Sequence, residues 1–89
     1  MVHADKPAEA ALIGRRLYGE RKKAGLTQEQ CAEVGGVKRR TQVSYENGES
    51  APDALYLYRL HNYSGGANRI DIFYVVTGRR VLFATRSFG

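Results

Sequence analysis

Residues 21–53 read RKKAGLTQEQCAEVGGVKRRTQVSYENGESAPD, and this stretch decides the fold. Thr27 starts a helix well, because its hydroxyl can accept from the amide of Gln30 while the Gln30 side chain reaches back to the amide of Thr27. A Gly-Gly pair at 35–36 ends that helix, and a further helix is predicted from about Val37 to Glu46. The stretch therefore predicts two short helices joined by a tight turn, the arrangement of a helix-turn-helix motif.

A longer helix is predicted before this motif, from about Pro7 or Glu9 to Ala24, with Gly25 as its stop signal. Its inward stripe at helical spacing consists of Ile13, Leu17, Arg21 and Ala24. Arg21 is unusual there, because a cation on an apolar face needs a carboxylate partner or contact with water.

After the motif, Asn47 and Gly48 close the third helix, and Ser50 is the candidate N-cap of a fourth helix with Pro52 in its first turn. The inward face of this fourth helix is predicted to carry Tyr56, Leu57 and Leu60. The segment IDIFYVV at 70–76 is ambiguous, because its β-branched and aromatic residues would also suit a strand paired with 81–85 across TGRR. Residues 70–85 are thus either a helix plus an arm or a β-hairpin.

The third helix has two different faces when it is projected at about 100° per residue. Thr41, Gln42 and Tyr45 lie on one side. The other side is more polar and carries two adjacent guanidinium groups among small side chains: Arg39, Arg40, Val43, Ser44 and Asn47. An arginine can bind guanine with two hydrogen bonds in the major groove, so Arg39 and Arg40 are candidates for reading bases.

Composition agrees with a nucleic-acid partner, since 14 Lys and Arg against 9 Asp and Glu give a net charge of +5. The single cysteine, Cys31, excludes an internal disulfide and suits core packing in a reducing cytoplasm. We expect no signal peptide, membrane span or metal site. His3 and His61 have no visible catalytic partner, so the chain is not expected to be an enzyme, and no RNA-recognition signature is present.

From Ile13 to Gly48 the sequence resembles the Xre/Cro type of helix-turn-helix proteins, the family of lambdoid phage repressors and Cro proteins. The most specific parts are GLTQEQ, Ala32, Gly36 and YENG. With PDALYLYRL and IDIFYVVTGRR as fourth and fifth helices, the resemblance covers residues 9–80. It implies an all-α, compact, lambda-repressor-like bundle of four to five helices with a short C-terminal arm, and it favours helix over strand at 70–77.

The resemblance also implies a division of the chain and a set of roles. Residues 1–8 would be a flexible N-terminus, 9–78 the DNA-binding domain and 79–89 a C-terminal tail, the candidate dimer arm. Arg39, Arg40 and Ser44 would read bases. The residues expected to contact the DNA backbone are Gln28, Lys38, Thr41 and Asn47. Arg21 and Glu46 match the two partners of a partly buried ion pair, which would answer the question that Arg21 raises.

Two residues depart from the family pattern. Gln42 stands where many members have Ile or Val, so either its side chain is hydrogen-bonded beneath the third helix or that helix is rotated slightly. Gly35 replaces an apolar residue, which is expected to weaken packing in the turn.

The combined prediction is a sequence-specific, double-stranded DNA-binding transcriptional regulator, a phage or prophage repressor that binds a palindromic operator as a homodimer, without cofactor or small-molecule ligand. An apolar surplus predicts the dimer interface, with the candidates Leu55, Tyr58, Phe73, Val81, Leu82 and Phe83. The alternative is the antitoxin of a toxin-antitoxin pair, which would bind a toxin and autoregulate its operon.

Overall fold

A computed structural model describes residues 6–63 and 69–80. In these residues the chain forms helices and no strands. The helices are α1 (Lys6–Lys23), α2 (Gln28–Gly35), α3 (Arg39–Glu46), α4 (Ala54–Asn62) and α5 (Ile72–Thr77). The predicted all-α fold is confirmed, whereas the C-terminal arm expected at 81–89 lies outside the described residues.

One core holds the helices together. α1 lies against both α3 and α5, and α2 packs against α3 and α4. Helices as short as α2 to α5 are marginal on their own in water, so their stability depends on the apolar side chains that they bury together. These buried residues are Leu17, Cys31, Tyr45, Tyr56, Leu60, Ile70 and Val75.

α1 buries the predicted stripe, with Leu17 fully enclosed, Arg21 buried and Ile13 and Ala24 packed at the edge of the core. It also buries Glu20, of which only 2% is exposed and which the periodicity did not single out. The helix begins at Lys6 and ends just before Gly25, whose φ of +78° favours glycine. None of the helices in the described ranges is long and apolar enough to cross a membrane.

Two predicted helix starts are wrong. α3 begins at Arg39 rather than near Val37, with Lys38 as its extended N-cap residue. The N-cap of α4 is Asp53 rather than Ser50, and its carboxylate accepts from the amide of Tyr56 at 2.9 Å. A carboxylate at this position is favoured because it also faces the positive end of the helix dipole.

α5 is a helix although its sequence would suit a strand. Asp71 caps its start by accepting from the amide of Tyr74 at 3.0 Å, and Gly78 ends it with a φ of +78°. Arg16 of α1 donates to the carbonyl of Val75 at 2.9 Å, where the helix would otherwise leave that group unpaired. Caps at both ends and contact with α1 therefore outweigh the β propensity of the segment, and the β-hairpin alternative is wrong for Ile72–Thr77.

Glu20 joins the start of α5 to α1. Its carboxylate accepts from the amide of Asp71 at 2.9 Å and from Arg80 at 2.9 Å, and Lys23 lies 3.2 Å away. Burial by itself raises the pKa of Glu20, but these hydrogen bonds and charges outweigh it and hold the pKa below 4.5. Glu20 is therefore an ionised, fully partnered side chain inside the α1–α5 junction.

Candidate nucleic-acid interface

The turn between α2 and α3 is held by local hydrogen bonds. At the start of α2, Thr27 Oγ1 accepts from the amide of Gln30 at 3.0 Å and Gln30 Oε1 accepts from the amide of Thr27 at 2.9 Å, the predicted capping box. At its end Gly36 takes a φ of +75°, and the amide of Val37 donates to the carbonyl of Ala32 at 2.9 Å. These bonds set the direction in which α3 leaves the turn.

Arg21 and Glu46 form a buried, two-pronged ion pair between α1 and the end of α3. Arg21 Nε lies 2.6 Å from Glu46 Oε2, and Arg21 Nη2 donates to Glu46 Oε1 at 3.0 Å. Arg21 Nη1 also donates to the carbonyl of Leu26 at 2.9 Å. The cation on the inner face of α1 thus has the carboxylate partner that it needs.

Glu46 is the centre of a larger polar network. It also accepts from Gln42 Nε2 at 2.7 Å and from Gln28 Nε2 at 3.1 Å. Burial by itself raises the pKa of Glu46, but hydrogen bonds from Arg21, Gln42 and Gln28 outweigh it and lower the pKa below 4.5. Glu46 consequently stays ionised near neutral pH and ties three helices together.

Gln42 is completely buried beneath α3, and both ends of its amide are hydrogen-bonded. Its Nε2 donates to Glu46, and its Oε1 accepts from the Tyr56 hydroxyl at 2.6 Å. Burial raises the pKa of Tyr56, so its hydroxyl remains a donor. Gln42 is therefore hydrogen-bonded beneath α3, which is the first of the two alternatives that its departure from the family pattern left open.

Gly35 does not weaken packing in the turn, contrary to expectation. A Cβ atom at this position would overlap the ring of Tyr56, so the tyrosine occupies the space that an apolar side chain would take. Tyr56 itself is 1% exposed and meets the Tyr45 ring edge-on, at 4.8 Å between centroids. The ring of Tyr56 therefore fills the space left by Gly35, where the family pattern has an apolar side chain.

The outer face of α3 presents the predicted cations to solvent. Lys38, Arg39 and Arg40 are exposed, and no carboxylate of the described ranges pairs with them. Arg16, Arg59 and Arg80, by contrast, bind carbonyls or carboxylates of the protein itself. Three consecutive basic side chains at the start of α3 are thus available to an anionic partner.

The other residues predicted to contact DNA lie near the basic residues at the start of α3. Gln28 is half-buried at the first turn of α2, and its Oε1 lies 3.4 Å from Arg39 Nη2. Ser44 is half-buried, and its hydroxyl lies 3.0 Å from that of Ser50. Thr41 is half-buried and Asn47 is exposed.

The candidates for a dimer interface lie elsewhere. Leu55 and Tyr58 on α4 and Phe73 on α5 are exposed, at 52%, 62% and 47%. Val81, Leu82 and Phe83 lie outside the described residues. Further exposed apolar side chains, outside the predicted set, are Leu12, Tyr18 and Val76.

Sequence reasoning missed the hydroxyl of Tyr56 and the carboxylate of Glu20 as partners in these networks. A signal for Tyr56 was present, because a glutamine on an inward helix face requires a buried partner and an inward tyrosine carries a polar tip. Glu20 had no comparable signal, since its partners Asp71 and Arg80 are 51 and 60 residues away in the chain.

Two short helices at a glycine turn, the second with an exposed basic face and a buried polar network beneath it, define a helix-turn-helix domain. A sequence model described as "Helix-turn-helix" matches residues 17–63, and the chain belongs to this family, of the Xre and lambda-repressor-like type. Proteins of this family bind DNA and are typically not enzymes.

A relative from Methanothermobacter thermautotrophicus is 40% identical over 53 residues, which span 60% of this chain and 77% of that protein. It is named as an uncharacterized HTH-type transcriptional regulator.

Proposed function

We propose that this protein is a transcriptional regulator that binds a specific double-stranded DNA sequence and represses transcription by occupying an operator. The observation that carries the proposal is the exposed run Lys38, Arg39 and Arg40 at the start of α3, fixed from below by Gln42 and Glu46. A helix can enter the major groove, and a rigidly held one can place a guanidinium group accurately against a base edge. The protein would bind this operator in the cytoplasm.

In this proposal Arg39, Arg40 and Ser44 read bases, and at least one of the two arginines binds guanine. The small hydroxyl side chain of Ser44 permits close approach to the groove. The backbone is contacted by residues at the two helix starts and around α3, where exposed amides and cations attract phosphate: Gln28, Lys38, Thr41 and Asn47.

Selection of bound sequences from a random pool of double-stranded DNA tests this proposal. Arg39→Ala or Arg40→Ala should cost about 1 to 3 kcal/mol of binding free energy and relax the preference at one position. Lys38→Ala should weaken binding to all sequences alike and lower the slope of log K against log[salt] by about one. Arg15→Ala, which removes an exposed arginine of α1, is the control. Failure of the wild-type protein to enrich any sequence would refute the proposal.

We further propose that two copies bind a palindromic operator, because one helix-turn-helix unit covers few base pairs and half-sites are read about one helical turn apart. The exposed apolar residues Leu55, Tyr58 and Phe73 are the candidate contacts in the described chain, together with Val81, Leu82 and Phe83. Analytical ultracentrifugation should show a dimer at micromolar concentration, and Tyr58→Glu should dissociate it. A wild-type monomer, or a selected DNA site without two-fold symmetry, would refute the dimer.

The assignment to phage or prophage repressors rests on the likeness of GLTQEQ and YENG to the lambdoid proteins. Neighbouring genes test it independently. Adjacent phage genes or a divergent promoter would support the repressor, whereas an adjacent small toxin gene would favour the antitoxin alternative.

A further inference from the structure

Val43 is an apolar side chain on the otherwise polar outer face of α3. It is half-buried, yet within the described residues it is not among the apolar side chains that pack against the core. The residues of α3 that are buried in the core are Gln42 and Tyr45, and Val43 is not one of them. A β-branched apolar residue in the middle of a basic recognition surface needs another explanation.

An open depression beside α3 contains Val43. Its walls include Arg39, Arg40, Ser44, Glu49 and Ser50. The hydroxyls of Ser44 and Ser50 bind each other at 3.0 Å, which fixes one wall. Arg39 and Arg40 attract an anion to this depression, whereas the Glu49 carboxylate in its wall repels a phosphate placed beside it.

We propose that Val43 contacts the C5-methyl group of a thymine next to the guanine bound by Arg39 or Arg40. This inference rests on the proposed function, since it names a feature of the DNA site. In the major groove, thymine presents a methyl group, and proteins recognise this group by apolar contact. Val43 follows Arg39 by four residues and Arg40 by three, which places all three side chains on one helix face. The arginine and the valine therefore face neighbouring base pairs.

Deoxyuridine substitution tests this contact, because deoxyuridine lacks only the methyl group of thymine. Each thymine of the selected site is replaced singly, and affinity is measured for the wild-type protein, Val43→Ala and the control Val76→Ala, which truncates an exposed valine of α5. We expect one deoxyuridine beside the guanine to weaken wild-type and Val76→Ala binding about fourfold, as loss of one buried methyl group predicts. The same replacement should leave Val43→Ala unchanged.

The outcomes separate this inference from the proposed function. Binding that tolerates deoxyuridine at every thymine, or a selected site with no thymine beside its guanine, overturns the role of Val43 and leaves the regulator intact. A deoxyuridine effect that persists in Val43→Ala also overturns it. Absence of any selected site removes the proposed function and this inference with it. The scan on wild-type protein remains decisive if Val43→Ala does not fold.

Discussion

At the scale of single residues, Tyr56 supports α3 in two ways. Its ring takes the space beside Gly35, and its hydroxyl donates to the buried oxygen of Gln42 at 2.6 Å. Gln42 in turn binds Glu46, which holds Arg21. A chain of hydrogen bonds thus runs from α4 to α1 beneath α3, and each side chain in it holds the next one in place.

Removal of the Tyr56 hydroxyl tests this chain. Tyr56→Phe keeps the ring but leaves the oxygen of Gln42 buried without its donor, which should lower the free energy of unfolding by about 1 to 3 kcal/mol. Tyr58→Phe, on the exposed side of the same helix, should change it by less than about 0.5 kcal/mol. Urea unfolding measures both. Equal effects of the two variants would contradict a structural role for the hydroxyl.

At the scale of elements, α1 approaches the end of α3 at Gly14. A Cβ atom there would overlap the carbonyl oxygen of Tyr45 and lie 2.8 Å from that of Glu46. Both atoms belong to the backbone of α3 and cannot move without moving that helix. Gly14 therefore permits the close approach in which Arg21 and Glu46 meet.

Two glycines of α1 should respond to alanine in opposite ways. Gly14→Ala should lower the free energy of unfolding by about 1 to 3 kcal/mol, because the added methyl forces the two helices apart. Gly19→Ala has nothing within 4 Å of the added atom and should raise it by about 0.5 to 1 kcal/mol through helix propensity. Thermal or urea unfolding measures both changes. A stabilising Gly14→Ala would contradict the close approach of α1 to the backbone of α3.

For the whole molecule, two buried carboxylates join α1 to the rest of the fold. Glu46 ties it to α3 and Glu20 ties it to α5. The pKa of each carboxylate is lowered below 4.5 in the folded protein by hydrogen bonds that outweigh burial. A lowered folded-state pKa adds stability that is fully present above the unfolded pKa and is lost as pH falls through the folded one.

The free energy of unfolding should therefore fall as pH drops below about 4.5, the ordinary pKa of these groups. Glu20→Gln should make this decline shallower, because one of the two linked carboxylates is gone. Glu9→Gln, which removes an exposed carboxylate from the same helix, should follow the wild-type curve. Urea unfolding between about pH 7 and pH 3, a range that spans the titration of ordinary carboxyl groups, measures the slopes. Identical slopes in all three proteins would contradict the linkage.

Most of the candidate site could be predicted because its signals are local. The Thr27–Gln30 capping box, the glycine turn and the two faces of α3 each depend on residues within about one helical turn of one another. The pairing of Arg21 with Glu46 came from the family resemblance, since periodicity showed only that Arg21 required a partner. The N-cap of α4 was misplaced because Ser50 and Asp53 are both good capping residues, and only the observed bonds distinguish them.

The sequence alone determined the helix-turn-helix and its basic outer face, because capping, glycine conformation and side-chain periodicity act between neighbours along the chain. Only the tertiary structure decided that Ile72–Thr77 is a helix, that Tyr56 satisfies Gln42 and that Glu20 is buried at the α1–α5 junction. Those outcomes depend on groups that are distant in sequence. A polar or β-branched residue adopts the conformation in which the residues packed around it can bury its apolar atoms and hydrogen-bond its polar ones.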